Sequence, residues 1–338
     1  GTSFASWDEL AKADVAPTSS GALEDRRAFV RLIAERYFTI TSQAIRHADP
    51  NHMILGCRFA GAAPPIWDIA GRHLDIVSVN YYGTVDFDRS RTTDMPAAMA
   101  RYHRESARPL LITEWSFPAL DAGLPSRHGA GQRVPTQHDK ARAFAIYQTA
   151  LFAMPFMVGS NYFMWADEPE LGISSTFPED SNYGLVDVND RPWPELTAMA
   201  AKLNPRAVAI HSGQTSEVSA QIGSSAVTVR NSGAVQARFV ADVWVQGKRT
   251  SRRLTIQPGR TATLPIRASG PSLVVVELDR AGVLVERRLD DNRAVKVIGP
   301  QPRAHSVVVV NAGSIPLTNA PVSVALPAGS RAAMAVHD

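Results

Sequence analysis

The chain has 338 residues, 45% of them hydrophobic and 20% charged, with a net charge of +3 and one cysteine, Cys57. This composition describes a globular chain of about two domains. The small net charge gives no argument for nucleic acid, no run is apolar for long enough to span a membrane, and a lone cysteine excludes internal disulfides and a cysteine-based metal cluster.

In chain order, residues 25–48 place Phe29, Ile33, Tyr37 and Ile40 at a helical period, so these four are expected to form the core face of a helix that Pro50 stops. Residues 53–60 (MILGCRFA) read as a buried strand and residues 65–73 as a helix. Asp75 to Tyr82 reads as a second strand, closed by Gly83, and residues 95–106 as a helix with Pro96 in its first turn. The run Pro109-Leu110-Leu111-Ile112-Thr113-Glu114-Trp115 is a third strand, which stops on a carboxylate flanked by aromatics. Residues 136–154 read as a long helix with Thr136 as N-cap. Ser160 to Trp165 reads as a fourth strand and 193–203 as a last helix. The strands are too apolar to be half exposed, the pattern of a parallel sheet covered by helices. Four strand–helix units are half of the eight that a closed barrel needs, so residues 1–205 are expected to hold only part of one.

After Pro205 the helical period disappears. The β-branched runs Ala226–Arg230, Phe239–Val245, Leu273–Glu277 and Ser306–Val310 follow, separated by Gly, Asn and Pro. Residues 206–338 are therefore expected to form an antiparallel β-sandwich. The segments 227–233 and 308–313 echo each other, each a strand leading into Asn-x-Gly, so the region divides alternatively into modules 213–299 and 300–338.

In a barrel of this class chemistry sits at the C-terminal ends of the strands, and Glu114 occupies such a position. Tyr82 lies two residues beyond Asn80, so both point to the same side of their strand. His52, His73, His103, His128 and His138 have no metal-ligand spacing, so no metal and no cofactor are expected. His128 lies in the Gly-rich loop 121–134, which follows the Glu114 strand.

With these elements placed, Ala34–Phe38 together with Asp49–Ala60 resembles the fourth helix and fifth strand of clan A glycoside hydrolases, closest in flavour to the β-agarase and β-galactosidase-like families. Ile112-Thr113-Glu114-Trp115 is similar to the seventh strand of those enzymes, which carries the nucleophile, and Asn161–Pro169 to the eighth, whose Trp lines a sugar subsite. Asn182–Asp187 and Asp190–Leu196 resemble the lead into the last helix, and Gly1–Leu10 a loop after the fourth strand. The resemblance covers residues 1–205; the segment beyond resembles, more generally, Ig-like modules appended to secreted enzymes.

The resemblance implies a retaining β-glycoside hydrolase acting on β-galactosides or related polysaccharides such as agarose, located outside the cell or in the periplasm. Glu114 would be the nucleophile, and Tyr82 would hydrogen-bond it and hold it ionised. Trp165 would stack on a sugar ring, with Arg58, Asn80, Trp115, Asp167 and Glu168 as further substrate contacts, the last two at the cleft rim. The acid/base Glu of the family follows an Asn, and no Asn-Glu pair occurs in this sequence. That carboxylate is thus expected on strands one to four, in an upstream segment or a separate chain, and residues 1–338 alone are expected to be inactive. Two other classes fit the same residues: a non-catalytic carbohydrate-binding protein with a degenerate barrel, and an adhesion protein whose sandwich carries the function.

Overall fold

The computed structural model describes residues 3–13, 19–60, 64–268 and 270–299. The run 306–310, the second Asn-x-Gly echo and the module 300–338 lie outside them. In chain order the elements are α1 (Trp7–Lys12), α2 (Ser20–Ala48), β1 (Leu55–Phe59), α3 (Trp67–His73), β2 (Ile76–Asn80), β3 (Val85–Asp86), β4 (Arg91–Thr92), α4 (Met95–Ser106), β5 (Leu110–Glu114), α5 (Gln137–Phe152), β6 (Met157–Ser160), α6 (Pro194–Leu203) and α7 (Ala207–Ser212). Among the described residues only strands follow: β7 (Val218–Ile222), β8 (Ala226–Asn231), β9 (Ala237–Val245), β10 (Lys248–Ile256), β11 (Thr261–Pro265), β12 (Ser272–Leu278) and β13 (Arg293–Ile298). The fold is thus mixed α/β, followed by antiparallel sheets. Among the described residues no helix is long and apolar enough to cross a membrane.

The chain divides into two compact units, Gly1–Asn80 with Met99–Thr113, and Tyr81–Ala98 with Glu114–Asp338. In the first, β1 and β2 pair in parallel, Leu55 opposite Ile76 and Gly56 opposite Val77. Beside β2, the Val77 N–H donates to Pro109 O at 3.1 Å, at the start of β5. Val77, Leu110 and Ile112 are fully buried, and Phe38 of α2 packs on Phe59 and on the His73 ring of α3. Arg31 of α2 forks onto Asp68 of α3 at 2.6–3.0 Å, which holds the Asp68 carboxyl down at about 2.

Two expectations fail in this unit. Phe29, Ile33, Tyr37 and Ile40 are not the core face of α2: they are 48–55% exposed, and the buried stripe is Ala34, Phe38 and Ser42. The helix is apolar on more than one side, with Leu32 and Ile45 exposed as well, and the buried side meets β1 and α3. β1 is likewise half exposed, with Leu55 at 52% and Met53 before it at 66%, because it is an edge strand and the helices described cover only part of it.

In the second unit, Thr136 caps α5 as expected, its Oγ1 accepting from the Asp139 N–H at 3.1 Å. The fourth strand is shifted: β6 is residues 157–160, not 160–165. The segment after it is drawn aside by two neighbours. The Phe163 N–H donates to Trp115 O, whereas Met164 and Trp165 trade backbone hydrogen bonds with Tyr183, Leu185 and Val186. Farther on, the strands form two antiparallel sheets, ordered β10-β9-β12-β13 and β11-β8-β7. Alternate residues Val227, Val229, Phe239, Ala241, Val243, Val274 and Val276 share one apolar core. The Asn231-Ser232-Gly233 turn is stapled by the Asn231 amide, which donates to Val235 O and Ile256 O. Gly233 is required there, since a Cβ would stand 2.3 Å from Thr215 O. Lys202 donates to Ala281 O at 2.7 Å and Arg206 to Leu284 O at 2.7 Å, fastening α6 and the chain after it to the β12–β13 connection.

Candidate active site

Glu114 ends β5 and is partly buried. Its Oε2 accepts a hydrogen bond from the Tyr82 hydroxyl at 3.1 Å. Burial first, and then the Glu114 charge, push the Tyr82 phenol well above its ordinary range, so Tyr82 stays a neutral donor to the carboxylate. The Tyr82 ring leans on Tyr183 at 6.4 Å, and Gly131 admits it: a Cβ at Gly131 would stand 2.8 Å from Ser116 O and 3.3 Å from the Tyr82 ring.

The loop 121–134 is a built structure rather than a loose surface loop. Arg133 donates to the carbonyls of Ser126, His128, Gly129 and Gly131 at 2.8–3.0 Å, and the Tyr183 hydroxyl donates to Ala130 O at 2.9 Å. The backbone N–H groups of Arg127 and His128 donate to one oxygen of buried Asp180, which holds that carboxyl below its ordinary range against the opposing effect of burial.

Trp165 is 66% exposed, with Nε1 donating to Asp190 Oδ1 at 3.4 Å. Trp115, in contrast, is fully buried against Tyr147, with ring centroids 4.5 Å apart and planes 19° from parallel. It packs the wall behind Glu114 instead of facing a ligand. Asp167 and Glu168 are 7% and 2% exposed and do not stand at a rim. Asp167 accepts from the Asn182 amide, the Gly184 N–H and Trp193 Nε1 at 2.7–3.0 Å. Glu168 accepts from the Ser181 N–H at 3.1 Å, and burial, helped by the neighbouring Glu179 carboxyl, pushes it up to about 7. Arg58 and Asn80 belong to the first unit. There the Arg58 N–H donates to Ser78 Oγ at 2.9 Å, with Arg58 at a left-handed φ of 58°, and Asn80 Oδ1 accepts from Thr113 Oγ1 at 2.8 Å.

Sequence reasoning passed over Lys140, Asn182 and Arg133. Lys140 is completely buried, and its ammonium donates to Asn182 O, Asn182 Oδ1 and Gly184 O at 2.7–3.2 Å. Burial pushes it down to about 7, while nearby Asp167 opposes the fall. The network fixes the strip 182–184 that carries Tyr183 against Tyr82. Its one visible signal was a charged residue at helical spacing with Phe144 and Tyr147 of α5.

No family model matches the chain. The chain is similar to β-agarase B of Vibrio sp. (strain JT0107), at 28% identity over 208 residues, 60% of this chain and 21% of that protein. It is similar to β-agarase A of the same strain at 29% over 206 residues, 60% of this chain and 20% of that protein. Among solved structures, an exo-β-agarase matches with a TM-score of 0.50 and 26% identity over 59% of this chain and 25% of that one. The agarase AgWH50C matches with a TM-score of 0.50 and 27% identity over 60% of this chain and 30% of that one. The likeness to β-agarases is thus present over about 60% of the chain, and the chain spans about a fifth of the length of the curated relatives it matches.

Proposed function

We propose that residues 1–205 are the C-terminal half of the (β/α)8 barrel of a retaining β-glycoside hydrolase acting on β-galactoside-type polysaccharides outside the cell or in the periplasm, followed by an Ig-like β-sandwich from residue 206. Glu114 is the nucleophile: its carboxylate attacks the anomeric carbon to give a glycosyl-enzyme, which water then hydrolyses. Tyr82 is a positioning residue that keeps one Glu114 oxygen hydrogen-bonded, and Trp165 is the sugar platform. The observation that carries this reading is the 3.1 Å hydrogen bond from Tyr82 to a carboxylate at a strand end, within a chain similar to β-agarases.

The acid/base carboxylate comes from further barrel segments, in cis or on a second chain. The exposed apolar side of α2 and the open edge of β1 support this, because such surfaces are where a preceding strand–helix unit packs. The test is hydrolysis of a β-galactoside oligosaccharide by the chain together with those segments. Glu114→Gln is expected to abolish it, and a variant that keeps the parent rate would overturn the assignment.

A further inference from the structure

Far along the chain from Glu114, the outward face of the β9–β10 ladder gathers arginines. Along β9 the inward residues Ala237, Phe239, Ala241 and Val243 alternate with Arg238, Val240, Asp242 and Trp244. The register sets Arg249 opposite Trp244, Ser251 opposite Asp242 and Arg253 opposite Val240, so the two β10 arginines share that outward face. Beside it runs a cleft of about 660 Å³ whose lining includes Arg238, Arg249, Arg253 and Arg280, with Val240 and Val283.

Two carboxylates also lie there, and both are committed. Asp242 is 2% exposed although it faces outward, because Arg249 closes over it with two hydrogen bonds at 2.8–3.0 Å and Ser251 donates to it. Asp279 accepts from the Val283 and Leu284 N–H groups. The Arg249 guanidinium also lies over the Trp244 ring at 5.5 Å, which fixes its plane. Arg280 stands 4.0 Å from Glu277, while among the described residues neither Arg238 nor Arg253 has a carboxylate within ion-pair distance. With Glu277 counted beside Asp242 and Asp279, the four guanidiniums still outnumber the acids, and the two outside any ion pair among the described residues are Arg238 and Arg253. Packing does not require this, and self-repulsion opposes it. An arginine locked by a buried acid beside two arginines with no counter-ion is an arrangement for anions with paired oxygens.

We propose that this cleft binds an anionic polysaccharide, with its sulfate half-esters or carboxylates held by Arg238 and Arg253 and oriented by Arg249. The choice of a sugar polymer over another polyanion rests on the hydrolase reading; recognition of the anion does not. The test is affinity electrophoresis of the chain in gels containing a sulfated galactan, polygalacturonate, agarose or no polymer, at physiological salt.

The expected result is retardation by the sulfated galactan, by polygalacturonate or by both, which identifies the anionic group, and none by uncharged agarose through this cleft. In R238Q/R253Q, whose side chains are exposed, the dissociation constant should rise about tenfold or more. Removing the same charge from α2, in R26Q/R27Q, should change it less than about twofold. Melting temperatures check that both variants fold. Equal losses in the two variants would reduce the site to general basic charge, and no retardation would refute it. Equally tight binding of a duplex DNA oligonucleotide, lost in the same variant, would replace the polysaccharide by nucleic acid. Repeating the gels with E114Q separates the two proposals, since that variant should stop turnover and leave retardation unchanged.

Discussion

Replacing Tyr82 by Phe removes one oxygen and one hydrogen bond, the 3.1 Å donation to Glu114 Oε2, while keeping the ring against Tyr183. A hydrogen bond to a charged group contributes about 1.5–3 kcal/mol, and if it acts on the attacking carboxylate its loss lowers the rate by about one to two orders of magnitude. The assay is hydrolysis of 2,4-dinitrophenyl β-galactoside. The chain is assayed together with the further barrel segments proposed above, which complete the site for both steps, and the dinitrophenolate leaves without a proton, so the rate reports on the nucleophile's attack. The expected change is in kcat, with KM near the parent value, because the bond orients a reacting group instead of holding the sugar. The Tyr82 side chain is half-buried, so loss of its hydroxyl should move the melting temperature by no more than about 3 °C. A Tyr82→Phe variant with kcat within about threefold of the parent would refute the positioning role. A large fall in melting temperature with no specific fall in kcat would make Tyr82 a packing residue.

Burial pushes Glu286 up to about 8 from an ordinary 4.5, with the Val218 N–H and Asn292 amide opposing the rise. The unfolded chain loses that proton first, so stability falls as pH rises between those values, by up to about 5 kcal/mol. Glu286→Gln removes this fall: its melting curve should match the parent near pH 4.5 and lie above it at pH 8–9, and a variant less stable than the parent at high pH would contradict the buried neutral carboxyl. Lys140→Met strands the carbonyls of Asn182 and Gly184 and should cost about 3 kcal/mol in denaturant unfolding; a loss under about 1 kcal/mol would show that the strip 182–184 does not depend on the ammonium. Trp165→Ala, at a side chain 66% exposed, should leave the melting temperature alone and raise KM for a galactan oligosaccharide about five- to tenfold; an unchanged KM would remove Trp165 from the subsite.

Local signals in the sequence located most of the elements that place the candidate site. The apolar run ending at Glu114 is β5, Thr136 caps α5, and the β-branched runs at 226–230, 239–245 and 273–277 lie in β8, β9 and β12. What the sequence left hidden depends on long-range partners. The period of α2 shows an apolar helix but not which side is covered, so Phe29, Ile33, Tyr37 and Ile40 face outward while Phe38 is buried. Trp115 reads as a cleft aromatic beside Glu114 until Tyr147, thirty-two positions later, stacks on it. Asp167 reads as a rim carboxylate, but its three donors come from Asn182, Gly184 and Trp193. Charges buried by such partners leave almost no local trace, and for that reason Lys140 and Arg133 escaped notice.

The most direct measurement is mass spectrometry of the chain after incubation, together with the further barrel segments, with 2,4-dinitrophenyl 2-deoxy-2-fluoro-β-galactoside, which slows deglycosylation and traps the glycosyl-enzyme. The expected result is one added 2-fluorogalactosyl group, mapped by peptide digestion to Glu114 and absent from Glu114→Gln. A label on another carboxyl such as Glu168 or Glu179, or an unlabelled chain in a sample that hydrolyses the unfluorinated substrate, would contradict Glu114 as the nucleophile.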